Sequence, residues 1–314
     1  MKTYKVDHTQ LEQLKGAPPT AMAIGYFDGI HLGHQKVINT AKHIADDSGL
    51  DSAVMTFDPH PSVVLGRERT EKTHITPIED KRSLINAMGI DRLYIVNFSR
   101  SFASLTPQQF VDDFIIGFNV KHVIAGFDFS FGKKGEGTME TLPFHSRNQF
   151  KHTVVEKVAI DGEKVSSTLI RSLIESGKVE QIPKFLGRTY SIRGTVVHGD
   201  HRGKTIGFPT ANIQPSDTYQ LPQTGVYAVR MQVNGEWYEG VCNVGYKPTF
   251  NEVNPDLPTV EIHLFSFDAS IYGEDVKVEW CHHIRHEKRF SSIDELKGQI
   301  SKDIEEATQI FHKT

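Results

Sequence analysis

Residues 25–34, "GYFDGIHLGH", hold three glycines, an aspartate and two histidines three positions apart. They follow the apolar run "TAMAI" and precede a stretch in which Val37, Ile38, Ala41, Ile44 and Ala45 recur at helical spacing. Strand, glycine-rich turn, helix is the opening unit of an open α/β sheet, whose ligands gather outside the carboxyl ends of the strands. Gly25 and Gly29 let the backbone approach a ligand, and Gly33 allows close packing where the helix begins. In a first helical turn, His31 and His34 share one face. They stand at the positive end of the helix dipole, where anions are favoured. Two imidazoles there suit charge that develops at phosphorus, as when one phosphate attacks the α-phosphorus of ATP and pyrophosphate leaves. Two surface histidines, or half of a metal site, are the plain alternative. No GxxxxGK[ST] stretch occurs, which argues against a P-loop kinase in this half.

Outward from this unit, "SAVMTF" (52–57), "DRLYIVNF" (91–98) and "KHVIAGF" (121–127) are nearly unbroken apolar runs of strand length. Runs of this kind fit parallel strands covered on both faces. Between them, "TPIE" predicts a capping box on Thr76 and Glu79 with Pro77 at the first helical position, and "TPQQF" predicts another on Thr106 and Gln109. From about Thr189 the pattern changes to short strands with frequent turn signals. Asn234-Gly235 sits between two of them as a hairpin turn. The expectation is a small antiparallel barrel closed by one helix. That helix is capped by Ser292 and Glu295, with Ile293, Leu296, Ile300, Ile304, Ala307 and Phe311 as its apolar stripe. The domains are expected at 1–185 and 186–314.

The chain has 314 residues, 38% of them hydrophobic, and a formal net charge of −4. That is enough apolar material for real cores and gives no electrostatic argument for a nucleic-acid partner. Its two cysteines, Cys242 and Cys281, exclude a cysteine-rich metal site and argue against a disulfide framework. The polar start and the lack of a long apolar run lead to the expectation of a cytoplasmic protein without a membrane partner.

Further segments suit the crevice of the first half. "TFDPHP" (56–61) and "GFDFSFGKKGEG" (126–137) lie at strand ends. Phe57, Phe127, Phe129 and Phe131 have faces on which a flat ring can stack, although each taken singly also reads as core. "VSSTLIR" (165–171) puts Ser166, Ser167 and Thr168 at a helix start with Arg171 one turn on. One hydroxyl would be an N-cap, and the group together suits a phosphate. In the second half, "GDHRGKTIGFPTANI" (199–213) is a glycine-rich loop able to approach phosphates through backbone N–H groups. Thr210 and Asn212 alternate with apolar neighbours, so both can face one magnesium ion. In "TVEIHLF", Glu261 points away from Val260 and Ile262. It reads either as a base for an attacking alcohol or as a solvated strand carboxylate.

In this order, "GYFDGIHLGH", "TFDPHP", "GFDFSFG", "VSSTLIR", "GFPTAN", "VEIHLF" and "IRHEKRFSSIDELKGQI" resemble the prokaryotic bifunctional riboflavin kinase/FAD synthetases over nearly the whole chain. The resemblance implies a Rossmann-like nucleotidyltransferase domain followed by an antiparallel β-barrel flavokinase domain with a C-terminal helix. The first would join the AMP part of ATP to FMN, and the second would phosphorylate riboflavin with ATP and Mg²⁺.

The resemblance also implies residue roles. His31 and His34 would contact the ATP phosphates. Gly25, Phe27, Asp28, Gly29 and Gly33 would line the nucleotide pocket, with Ser166, Ser167, Thr168 and Arg171 completing the phosphate site. Phe57, Asp58, His60, Pro61, Phe127, Asp128 and Phe129 would take the flavin. In the kinase, Gly199, Gly203, Lys204, Gly207, Phe208, Pro209, Thr210 and Asn212 would hold ATP, with Thr210 and Asn212 on the metal. Glu261 would be the base, and Arg285 and Arg289 would help bind flavin. The sequence departs from the family pattern at Ser130, at Ser266 and in a longer "NEVNPDLP" stretch (251–258). Two other readings follow: a mainly monofunctional FAD synthetase with a kinase-like domain, and a flavin-responsive regulator without turnover.

Overall fold

The structure, a computed structural model, describes residues 1–9, 11, 16–66, 73–199, 202–246 and 258–313. The side chains of Arg202 and Lys204, and nearly all of the 251–258 stretch, lie outside that description. The chain forms two compact units, Met1–Ser167 and Thr168–Thr314.

In the first unit, the strands are β1 (Lys2–Val6), β2 (Thr20–Ile24), β3 (Asp51–Asp58), β4 (Arg92–Asn97), β5 (Val120–Gly126) and, after two short strands β6 (Ser130–Phe131) and β7 (Gly137–Thr138), β8 (Lys151–Val155). They form a six-stranded sheet in the order β1-β4-β3-β2-β5-β8, and every pairing is parallel. The four central strands are those read from the apolar runs. The two edges are additions: β1 and β8 each bury only their last residue fully, so neither shows as an apolar run. Alternation divides the core. Met22 and Ile24 join an aromatic cluster with Phe110, Phe114 and Phe118 on one face, while Ala21 and Ala23 pack with Val37, Ile38, Ala41 and Ala45 on the other.

The helices of this unit are α1 (Leu32–Ser48), α2 (Pro61–Val64), α3 (Ile78–Ala87), α4 (Pro107–Phe110) and α5 (Leu142–Ser146). A small hairpin, β9 (Ala159–Ile160) and β10 (Glu163–Lys164), follows. The box on Thr106 and Gln109 forms in full at α4. The box expected on Thr76 does not. Pro77 is the N-cap of α3, and the Thr76 N–H donates to the Asp28 carboxylate at 3.1 Å instead.

The break between units falls inside the first turn of α6 (Ser167–Glu175), earlier than the composition change near residue 186. Gln220 shows why. It accepts from Arg171 at 2.7 Å, donates to Glu175 at 2.9 Å, and its carbonyl accepts from the buried Tyr190 hydroxyl. Helix α6 is thereby fastened to the barrel, and α7 (Ile182–Leu186) follows it. The barrel strands are β11 (Tyr190–Val197), β12 (Ala211–Pro215), β13 (Gly225–Val233), β14 (Glu236–Gly245), β15 (Thr259–Leu264) and β16 (Asp275–Arg285), with the short helix α8 (Arg202–Thr205) between β11 and β12. They close in the order β11-β12-β15-β14-β13-β16.

The β13–β14 turn has Asn234 at φ +52° and Gly235 at φ +89°, as a two-residue hairpin of this twist needs. Helix α9 (Ile293–His312) covers one outer patch of the barrel, where Val226, Ala228 and Val241 meet Ala307 and Phe311. Two details differ from expectation. Ile293 is exposed, so the stripe starts at Leu296. Ser292 caps the Glu295 N–H, but the Glu295 carboxylate accepts from Ser291, one residue earlier.

Candidate active sites

The first site lies at the carboxyl ends of β2, β3, β4 and β5. The chain leaves β2 through a corner in which Phe27, Gly29 and Ile30 have φ of +54°, +89° and +41°. The Phe27 ring folds back over Gly25, where a Cβ would lie 2.8 Å from it. Asp28 is buried, and its carboxylate accepts from the N–H groups of Ile75 and Thr76, both at 3.1 Å. Its role here is to tie the corner to the segment before α3.

His31 caps α1. Its Nδ1 accepts the His34 N–H at 3.1 Å, which leaves Nε2 to carry the proton of the neutral ring. The two imidazoles stack with centroids 3.5 Å apart and planes at 18°. Gly33 lies under His31, with room for a Cβ only at 3.1 Å from that ring. Burial pushes the His31 pKa down to about 4. Burial first, then the neighbouring His31 and Lys81, holds His34 well below the ordinary histidine value. Both rings are therefore neutral near pH 7, and His31 is a one-proton donor through Nε2.

Beside the pair opens a cavity of about 860 Å³. Of the expected residues, Gly25, Phe27, His34, Phe57, Pro61, Asp128 and Phe129 line it. Phe57 packs edge-on against Phe98 and is mostly core, while Phe129 is only partly buried. Phe127 does not line the cavity. It is 44% exposed, with the Lys164 ammonium 4.8 Å from its ring centroid. His60 caps α2 through Nδ1 and sets its ring edge-on to Tyr26, and Asp58 closes β3 by accepting the Phe98 N–H.

Ser167, the last residue of the first unit, donates to the Asp28 carbonyl at 2.8 Å. Ser166 is half-buried beside it. Thr168 and Arg171 fall in the second unit, where the Arg171 guanidinium holds Gln220.

The sequence reading missed several of the cavity's residues. Phe98, Arg100 and Phe102 follow β4, and Lys133 and Lys134 follow β6. The rule that located the other segments, strand ends facing the ligand, applies equally to "NFSRSF". Tyr26 and Lys81 were also missed. Lys81 is on a helix whose sequence gives no sign that its ammonium turns inward.

The second site is on the barrel. A cavity of about 350 Å³ is lined by Gly203, Phe208, Thr210, Glu261 and Arg285 among the expected residues. Val260 and Ile262 are buried in the barrel interior, and Glu261 faces the other way, into this cavity. Register sets it between Asn212 of β12 and Asn243 of β14. Asn243 was not foreseen, because only the strand order reveals it. Burial and the nearby Glu261 carboxylate push the Cys242 thiol well above its ordinary pKa.

His263 is 2.8 Å from the Pro209 carbonyl, and Phe208 N–H donates to the Gly203 carbonyl, so the loop before β12 is closed on itself. Gly199 leaves the space that the Asn212 side chain fills, and Gly207 has φ +93°. Neither glycine lines the cavity. Arg285 does, yet its guanidinium grips the buried Asp303 of α9 through Nε and Nη2 at 2.8–3.1 Å. Arg289 is exposed, and its neighbours Lys288 and Phe290 form the wall there. Thr210, Asn212 and Glu261 together offer hard oxygen donors, the set magnesium prefers.

A family model for FAD synthetase matches residues 14–169, and one for riboflavin kinase matches residues 186–311. A bifunctional riboflavin kinase/FMN adenylyltransferase of Bacillus subtilis is 51% identical over 99% of this chain and 98% of its own length. A protein of the same description from Listeria monocytogenes is 44% identical over 93% and 92%. A solved structure described as a macrolide-efflux protein from Streptococcus pneumoniae has a TM-score of 0.87 at 35% identity, covering 97% of this chain and 98% of that one. Among the described residues of the present chain, no helix is long and apolar enough to cross a membrane. With both modules matched and full-length relatives of one description, the chain belongs to the bifunctional riboflavin kinase/FMN adenylyltransferase family.

Proposed function

We propose that this chain performs two consecutive ATP-dependent reactions, phosphorylation of riboflavin to FMN on the barrel and adenylylation of FMN to FAD beside the parallel sheet. The carrying observation is the pairing of two differently built cavities in one chain. One sets aromatic rings beside His34, whose neutral ring stacks on that of His31. The other sets a carboxylate between two asparagines.

In the first reaction, a ribityl hydroxyl of riboflavin attacks the γ-phosphorus of ATP. Glu261 accepts the hydroxyl proton, and ADP leaves. Thr210 and Asn212 would hold Mg²⁺, which when bound neutralises charge on the ATP phosphates. The backbone N–H groups of the loop 203–209 would approach the phosphates, and Arg285 and Arg289 belong to the flavin end. In the second reaction, an FMN phosphate oxygen attacks the α-phosphorus of a second ATP, and pyrophosphate leaves. His31 donates Nε2–H to the charge that develops there, and His34 supports its ring by stacking. The Ser166 and Ser167 hydroxyls serve the departing phosphates. Division of the activities at 185/186 follows the composition change, with 168–185 attached structurally to the barrel. The working environment is the cytoplasm.

Purified chain is given riboflavin plus ATP and, separately, FMN plus ATP. FMN and FAD in the first mixture and FAD in the second are expected. FAD from FMN without any FMN from riboflavin would leave a monofunctional synthetase, and neither product would leave a regulator.

The cavity also predicts which aromatic ring meets the flavin. Phe129→Ala should raise the FMN Kd about fivefold, in line with a lost stacking contact of about 1 kcal/mol, and leave ATP binding little changed. Phe127→Ala should change neither. Flavin fluorescence quenching measures both, and a Phe127 effect larger than that of Phe129 would reverse the assignment.

A further inference from the structure

A strained corner at a functional site persists only where its surroundings over-determine it. Among the described residues, four side chains donate to the backbone carbonyls of residues 26–30. Thr56 Oγ1 donates to the Tyr26 carbonyl at 2.9 Å, Gln35 to the Ile30 carbonyl at 2.9 Å, and Ser167 to the Asp28 carbonyl at 2.8 Å. The fourth is different in kind. Lys81, on α3, is 2% exposed and donates its ammonium to the same Tyr26 carbonyl at 2.7 Å. The ammonium also lies 3.3 Å from Thr56 Oγ1 and 4.4 Å from the centroid of the Tyr26 ring. One buried cation thus grips residue 26 by its backbone and by its ring, one position before Phe27.

A buried lysine is disfavoured for folding alone, since an apolar side chain of similar length would fill the space without desolvating a charge. The groups that feel this charge are the carboxylates of Asp28 and Asp58, and the imidazole of His34 on α1. We propose that Lys81 is a positioning residue for adenylyl transfer: its ammonium locks the Gly25–Ile30 corner and so fixes Phe27 and the His31–His34 pair against the reacting phosphates. The proposal rests on the reading of this unit as the FMN adenylyltransferase.

The geometry gives the lock a pH signature. Burial lowers the Lys81 pKa to about 8, against the opposing pull of Asp28 and Asp58. In the free enzyme the lock is therefore charged below about pH 8 and lost above it, and kcat/KM reports the free enzyme.

The test uses the full chain and follows FAD formation from FMN and ATP between pH 6.5 and 9.5. Riboflavin phosphorylation and thermal unfolding are measured on the same preparations. The parent's kcat/KM should fall above about pH 8. Lys81→Met, which keeps the apolar stem, should lose about 10–100-fold at pH 7, the scale of a small misplacement of reacting groups, and show no alkaline limb. Lys81→Arg keeps a charge that does not titrate in this range and should also lack the limb. Riboflavin phosphorylation should be unchanged in both. A parent profile flat to pH 9.5 overturns the proposal whether or not a variant folds. So does a Lys81→Met enzyme with the parent's kcat/KM, or one whose loss only matches its unfolded fraction and keeps the limb. A parent that makes no FAD overturns the underlying reading instead.

Discussion

His31→Asn should lower FAD formation by about 10²–10³-fold, the cost of removing one preorganised donor from a developing anion, while riboflavin phosphorylation by the same polypeptide is unchanged. The structure makes asparagine the informative replacement. His31 is both the N-cap of α1 and the proposed donor, and its two ring nitrogens divide the work. Asparagine is a strong N-cap, so its side-chain oxygen can take over the acceptor role of Nδ1 toward the His34 N–H. The amide NH2 of asparagine stays closer to the backbone and does not reach the place of the Nε2 proton. Alanine would lose cap and donor together, confounding a stability loss of about 1 kcal/mol with the chemical one. An Asn variant with the parent's kcat for FAD would reduce His31 to a helix cap.

The same burial that keeps His31 neutral gives a linked effect on stability. The folded pKa is about 4 and the ordinary histidine value is 6.5, so the unfolded chain binds the proton first as pH falls. Stability of the first unit is then lost progressively from about pH 6.5 down to about 4, as it is for any group whose neutral form is buried. Replacing His31 by Asn should lessen the slope of that part of the pH–stability curve, with the buried His34 still contributing, which urea unfolding at several pH values would read.

How much of this was legible beforehand depended on whether the signal was local. The central strands of the first unit are buried on both faces and read as apolar runs. The edge strands β1 and β8 are covered too little to leave such a run. Thr106 and Thr76 begin nearly identical Thr-Pro stretches, yet only the first builds its box. At Thr76 the buried Asp28 carboxylate, remote in sequence, takes the backbone N–H. A tertiary partner outcompetes a local one, and no window around residue 76 contains it.

The histidine pair was found from spacing, but not the division of labour between the nitrogens, which needs the hydrogen bond. Arg285 was assigned to the flavin from its place before the last helix. Its guanidinium is bound to Asp303, eighteen residues on, and it contributes a cavity wall at the same time. Lys81 and Asn243 were invisible for the reason that a side chain's direction and a strand's neighbours are set only by the fold.

Glu261 is the case in which geometry reverses the weight of two readings, and Glu261→Gln should abolish most FMN formation. On a strand of unknown surroundings, a carboxylate facing away from Val260 and Ile262 is most simply a solvated one. Barrel closure changes that. Glu261 lies between Asn212 and Asn243 and faces a cavity that Thr210, His263 and Arg285 also line. The cavity suits an alcohol and a phosphate better than bulk water. A primary alcohol is a poor nucleophile at neutral pH, and a positioned base is worth about 10²–10⁴-fold. Phosphoryl transfer is largely positioning and charge neutralisation, which places the loss toward the lower part of that range. Glutamine keeps the shape and the polar contacts with its neighbours, so riboflavin should still bind. FAD synthesis from supplied FMN should be unaffected, because that chemistry belongs to the other unit. Thr210→Ala should differ in kind, raising the Mg²⁺ or ATP requirement more than it lowers the saturated rate. If Glu261→Gln phosphorylates riboflavin at the parent's rate, the carboxylate is a strand residue after all, and the base must be sought elsewhere in the same cavity.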